Sequence, residues 1–129
     1  FLTRPEQNVC TDGLLGGKPH PRVFGSFPRV LGKYVREENA LTLEDAVRKM
    51  TSKPAEVFGF ARRGLLKPGN FADIVVFNAD TILDQGTFVD PIQFPVGIEH
   101  VLINGHVVLS GGEIGCKRAG KVLRKIHAA

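Results

Sequence analysis

The sequence predicts an α+β fold, with helices in the first half and a small sheet in the second. Three observations carry this. Apolar residues recur at helical spacing from Phe27 to Phe58. The period then shortens to a β-branched run, Ala72-Asp73-Ile74-Val75-Val76-Phe77. Finally, Asn104-Gly105 sits between two apolar segments, the strongest short-range hairpin signal a sequence offers.

Taken in order, Asn8 to Thr11 reads as a short strand, which would place Asn8, Cys10 and Asp12 on one face. Gly13 ends it, and a Gly- and Pro-rich loop runs to about Phe24. Ser26 reads as the N-cap of a first helix over 27–38, with Pro28 in its first turn. Phe27, Val30, Leu31, Tyr34 and Val35 form its apolar stripe. Thr42-Leu43-Glu44-Asp45 resembles a capping box and opens a second helix. Leu43, Ala46, Val47 and Met50 are its expected buried face. Pro54 to Phe58 is predicted as a short third helix, stopped by Gly59.

Gly64 to Lys67 reads as a short strand and Pro68-Gly69 as a turn. The nearly continuous apolar run at 72–77 predicts a strand covered on both faces. Residues 79–97, with Pro91 and Pro95, read as a long irregular connection. Strands follow at 98–103 and 106–110, ended by Gly111-Gly112, and a last helix is expected over 120–127. Residues 1–60 and 61–129 form the two expected parts.

Composition bounds the function. A chain of 129 residues with 43% hydrophobic content can bury one core. No apolar run approaches the ~20 residues that span a bilayer, and no signal-peptide pattern is present. The net charge of +4 comes largely from Lys117, Arg118, Lys121, Arg124 and Lys125 near the end. That tail lacks the interleaved aromatics of a nucleic-acid platform, so neither membrane nor nucleic acid is an expected partner. The 2 cysteines, Cys10 and Cys116, read as free thiols in a reducing, cytoplasmic setting. The chain opens on Phe1 rather than Met, and reads as part of something longer.

No HxH, HExxH, CxxC, GxSxG, P-loop or dinucleotide motif occurs. His100 and His106 lie across the expected hairpin, but their parity sends them to opposite sheet faces, so they do not form a metal pair. With a two-residue turn, His100 should face Leu109. What remains is Asp12, before Gly13, with His20-Pro21-Arg22 within ten residues. Spacing alone allows Asp12 to be a turn residue and Arg22 a surface arginine.

Several segments together resemble one family: Thr11-Asp12-Gly13, His20-Pro21-Arg22, Gly25-Ser26-Phe27-Pro28-Arg29-Val30-Leu31-Gly32-Lys33-Tyr34-Val35-Arg36, Leu43-Glu44-Asp45-Ala46-Val47-Arg48-Lys49-Met50-Thr51, Lys67-Pro68-Gly69 and the Asn104-Gly105 hairpin. They resemble the C-terminal part of the N-acyl-D-amino-acid deacylases, the D-aminoacylases of the metal-dependent amidohydrolase superfamily. The resemblance implies the last strand (Asn8 to Asp12) and helices of a (β/α)8 barrel, plus the C-terminal strands of a small β-sandwich. It implies zinc-assisted hydrolysis of the amide of an N-acyl-D-amino acid. Asp12 would be the catalytic proton shuttle and at most one metal ligand, Arg22 the clamp on the substrate carboxylate, and His20 a neighbouring substrate-binding residue. The other zinc ligands of the family lie on strands outside this chain. By itself the chain is therefore expected to bind no zinc and to be inactive. The alternative is a non-catalytic, self-associating module that buries Val9, Phe24, the Phe27/Leu31 face or the 72–77 strand in a homo-oligomer.

Overall fold

The computed structural model describes residues 1–124. They form two compact units. The first combines Phe1–Met50 with Asn78–Gly97; the second combines Thr51–Phe77 with the chain from Ile98 onward. No helix among the described residues is long and apolar enough to cross a membrane.

The first unit is built on helix α1 (Arg22–Arg29), which runs directly into π-helical turns over Val30–Glu37. The helix starts four residues before the expected cap. Ser26 is not a cap but an interior residue, whose hydroxyl donates to the Arg22 carbonyl at 2.8 Å. Pro28 lies inside the helix, where it has no N–H to give the preceding turn. The wide turns follow at once, and the Glu38 N–H reaches the Lys33 carbonyl five residues back at 2.9 Å. The expected stripe survives this change of pitch: Val30 and Leu31 are buried, and Phe27, Tyr34 and Val35 are half-buried.

Helix α2 (Leu43–Met50) opens as predicted, with the Thr42 hydroxyl accepting the Asp45 N–H at 3.2 Å. The reciprocal half of the box is missing, because the Asp45 carboxylate turns toward Arg48 at 3.6 Å and Lys49 at 3.9 Å. Its buried face also differs from expectation. Ala46 is enclosed, Val47 is exposed, and Lys49 is fully buried. Asn8 to Thr11 forms no strand. No described strand lies beside it; Val9 instead donates its N–H to the Lys49 carbonyl at 3.2 Å.

The irregular connection at 79–97 closes this unit. It carries Ile82, 2% exposed and the most deeply buried apolar side chain after Ala46. A Cβ at Gly32 would stand 2.5 Å from the Ile82 carbonyl oxygen, so only glycine admits the loop there. Arg36 then ties the loop down, donating to the carbonyls of Ala79 at 3.0 Å and Ile82 at 2.8 Å.

The second unit holds helix α3 (Ser52–Phe58), ended by left-handed Gly59 as expected. It starts two residues before Pro54, which is tolerated because a first-turn N–H has no helical partner. Residues 64–67 form a loop rather than a strand. Asn70 closes it, its side-chain amide on the Leu65 carbonyl at 3.0 Å and its N–H on that of Lys67 at 3.0 Å. The sheet is antiparallel in sequence order, β1 (Ile74–Phe77), β2 (Ile98–Ile103), β3 (His106–Ser110) and β4 (Glu113–Ile114). β1 is an edge strand and is not covered on both faces: Val75 is 54% exposed and Val76 40%. The Gly111-Gly112 pair ends β3 and also turns the chain into β4, which the sequence did not announce.

The hairpin turn forms as predicted, with Asn104 and Gly105 both at positive φ. A bulge shifts the register between Val101 and Leu102, so His100 faces Ser110 rather than Leu109, while Ile103 faces His106. His100 binds Ser110 at 3.1 Å and His106 sits 3.1 Å from the Lys117 amine. The two imidazoles stay on opposite faces. Residues 120–124 carry no helix, and the rest of the helix expected at 120–127 lies outside the described residues, as does Lys125.

Asn104 joins the hairpin to the unit by three bonds: its N–H to Asp73, its side-chain oxygen from Arg63, and its amide to the Ala119 carbonyl. Replacing it with valine puts a β-branched residue in the left-handed region, which costs about 1–2 kcal/mol, and removes two of those bonds. Asn104→Val should lower the urea midpoint of the second unit clearly, while Asn104→Gly, which keeps the turn, should lower it less.

Candidate active site

The site forms where the loop from Asp12 to Pro21 meets the first turn of α1. Asp12 adopts a φ of 45°, an uncommon conformation for an aspartate that sends the chain sharply away from the preceding segment. Arg22, the first residue of α1, reaches back to it twice. Its Nη2 lies 2.9 Å from the Asp12 carboxylate, and its Nε donates to the Asp12 carbonyl at 3.0 Å. The structure therefore brings the two sequence-predicted residues into one contact.

His20 has a structural task here. Its Nδ1 accepts the Arg22 N–H at 3.0 Å, so this histidine caps the helix where Ser26 was expected to. With Nδ1 accepting, a neutral ring carries its proton on Nε2. The ring stands edge-on to Phe88, with centroids 5.0 Å apart.

His20, Arg22, Ser26 and Arg29 line a cavity of about 320 Å³, closed on the other side by Asp84, Gly86, Thr87 and Phe88. Arg22, Ser26 and Arg29 lie at helical spacing on one face of α1. Arg29 Nη1 binds Asp84 at 3.1 Å. That hydrogen bond, with the charge of Asp84, raises the Arg29 pKa above its usual value, and the opposing effect of burial is second only to the hydrogen bond. Asp84, Thr87 and Phe88 were not read from the sequence, since they sit in the irregular connection. Arg29 could have been found from its spacing to Arg22, had the helix been started at the right residue.

No group of three or more His, Cys, Asp or Glu side chains comes together among the described residues. A zinc site takes three or four protein donors. Asp12 offers one carboxylate, so these side chains do not fit a zinc ion by themselves.

A model of the amidohydrolase family matches residues 11–109, from the residue before Asp12 into β3 of the hairpin. The chain belongs to the amidohydrolase family. Among amidohydrolases it is similar to an N-acyl-D-glutamate deacylase of Alcaligenes xylosoxydans xylosoxydans, 52% identical over 91% of this chain and 24% of that protein. A D-aminoacylase of the same organism is 45% identical over 93% of this chain and 25% of its own. A crystal structure of a D-aminoacylase superposes with a TM-score of 0.90 at 43% identity, over 92% of this chain and 25% of that one. An N-acyl-D-glutamate deacylase from Bordetella bronchiseptica was solved with zinc and a phosphonate that mimics the tetrahedral intermediate. It superposes with a TM-score of 0.87 at 49% identity, over 95% of this chain and 26% of its own. The chain thus spans about a quarter of the length of these relatives.

The cavity depends on close approach of the Asp84 loop to α1. A Cβ at Gly25 would stand 2.6 Å from the Asp84 Cβ. Gly25→Ala should therefore push the loop off the helix, break the Arg29–Asp84 pair and cost about 1–3 kcal/mol. Faster limited proteolysis between 84 and 90 would register this; an unchanged digestion pattern would contradict it.

Proposed function

We propose that this chain supplies the proton-transfer and carboxylate-binding part of an N-acyl-D-amino-acid deacylase, with Asp12 and Arg22 in those roles. The observation that carries the reading is the paired contact with Asp12 of Arg22, a residue that lines the α1 cavity. On the same reading, residues 1–60 belong to the barrel and 61–129 to the small sandwich of such an enzyme. The strong likeness to deacylases over nearly the whole chain supports both assignments.

Amide hydrolysis needs a water deprotonated, a tetrahedral centre formed, and the leaving nitrogen protonated. Asp12 is suited to the first and last of these, because its carboxylate is exposed and set on a sharp turn rather than locked in a core. It takes a proton from the attacking water as the C–O bond forms. It returns that proton to the nitrogen as the C–N bond breaks, releasing a carboxylic acid and a D-amino acid. Arg22 is suited to the substrate carboxylate, since a guanidinium offers two parallel donors to two oxygens. Its present partner does not prevent this. An ion pair with side chains 42% and 79% exposed contributes at most about 1 kcal/mol, so an incoming carboxylate can take the place of Asp12. The exchange would free Asp12 when substrate arrives. His20 binds the Arg22 backbone N–H and lines the same cavity.

Zinc, when bound in such an enzyme, acidifies the water and polarises the acyl carbonyl. Its donors beyond Asp12 would come from outside the described residues.

In the intact protein assayed with N-acetyl-D-amino acids, Asp12→Asn should lower kcat by about 10²–10⁴-fold with little change in KM. Arg22→Met should act mainly on KM, by roughly 10- to 100-fold for a lost charged hydrogen bond. Full activity of Asp12→Asn would overturn the assignment. The 129-residue chain alone, given zinc, should hydrolyse none of these substrates. Turnover that tracked zinc and vanished in Asp12→Asn would show that the chain is self-sufficient.

A further inference from the structure

Lys49 is the one charged side chain enclosed in the described structure, at 0% exposure. Burying an ammonium is costly unless its three donors are used. Here Nζ donates to the carbonyl of Arg4 and, at 3.3 Å, to that of Gln7, with the Asp45 carboxylate 3.9 Å away. The backbone of the same residue acts on the same segment: the Lys49 carbonyl accepts the Val9 N–H at 3.2 Å. One residue of α2 thus fastens the chain at residues 4, 7 and 9, just before Asp12.

Residues 7–15 form no helix or strand, and Arg22 grips Asp12 from the far side only through an exposed pair and one bond to its carbonyl. We infer that Lys49 is a positioning residue for Asp12: it fixes the segment that leads into the aspartate, through three bonds at the end of α2. The inference rests on the deacylase reading for its catalytic consequence, but the anchoring itself is independent of that reading.

The geometry separates this from a purely structural role. Asp12 hangs on the segment that Lys49 holds, whereas Arg22 is placed by α1 and its His20 cap. Loss of the Lys49 amine should therefore let the aspartate drift while the carboxylate clamp stays. A misplacement of about 1 Å costs up to ~10²-fold in rate. In the intact protein, Lys49→Met should lower kcat per folded molecule roughly 10- to 100-fold and leave KM within about twofold. Lys49→Arg, which can still donate to two carbonyls, should recover a large part of the loss. The second measurement needs no catalysis: amide hydrogen exchange at residues 8–12 should quicken by at least about tenfold in Lys49→Met relative to Lys49→Arg, as expected for local opening. Unchanged exchange there would overturn the inference. So would a kcat per folded molecule equal to the parent protein's, or methionine and arginine variants that behave alike. If the parent protein hydrolyses no N-acyl-D-amino acid while the exchange difference is present, the deacylase reading fails and the anchoring stands.

Discussion

The contact on which the first unit depends is the seating of Ile82 against Gly32. Residues 78–97 have almost no secondary structure, so they need another reason to adopt one path. Gly32 provides it by leaving no side chain where the Ile82 carbonyl arrives. Arg36, one turn further along the same wide helix, satisfies that carbonyl and the carbonyl of Ala79. A buried carbonyl without a donor would cost about 1–3 kcal/mol, so the arginine matters as much for what it prevents as for what it adds. Once Ile82 is placed, Asp84 follows two residues later and meets Arg29 on the helix. The wall of the cavity is thus a consequence of packing beside it, two residues back along the loop and three along the helix.

Around Asp12 and the start of α1, polar groups each serve two ends. His20 caps α1 and lines the cavity. Arg22 begins the helix and holds Asp12. Lys49 ends up inside the unit because its amine is the donor that the carbonyls of Arg4 and Gln7 require. The contrast in strength is informative. The bonds made by Lys49 start from a fully buried amine, where an unused donor would be costly. The Asp12–Arg22 pair is open to solvent and weak. A firm anchor behind the aspartate and a loose partner in front of it suit a group that must hold its place yet exchange its neighbour.

The second unit has a thinner interior. Among the described residues, Ala55 is its only buried apolar core position, and the two central residues of β1 are largely exposed. Its order comes instead from the antiparallel ladder and from Arg63, which lies against the Phe71 ring at 4.3 Å and bonds both Asp73 and Asn104. Hydrogen bonds and a stacked guanidinium fix the hairpin where apolar burial is scarce.

Local chemistry was legible in the sequence wherever it sufficed to decide the structure. Asn104-Gly105 dictates its turn because few residues accept positive φ there. Gly59 ends α3 for the same reason, Thr42 caps α2, and the stripe from Phe27 to Val35 marks the face of α1 that turns inward. The Asp12 and Arg22 motif pointed to the deacylases without any coordinates. Tertiary structure decided the remainder. Whether Asn8 to Thr11 becomes a strand depends on a neighbour to pair with, and the run itself does not encode one. Where α1 begins was set by His20, a residue whose capping depends on a loop path rather than on propensity. The fate of Lys49 inverted the helical pattern, since a lysine is placed outside unless carbonyls from elsewhere in the chain wait for it. Asp84 and Phe88 looked like loop residues because no periodicity marks a segment held by one isoleucine and one glycine. Sequence by itself determined turns, caps and faces, which are contests between neighbours. The structure decided which distant groups meet, because those contacts depend on shapes that form only when the chain has closed on itself.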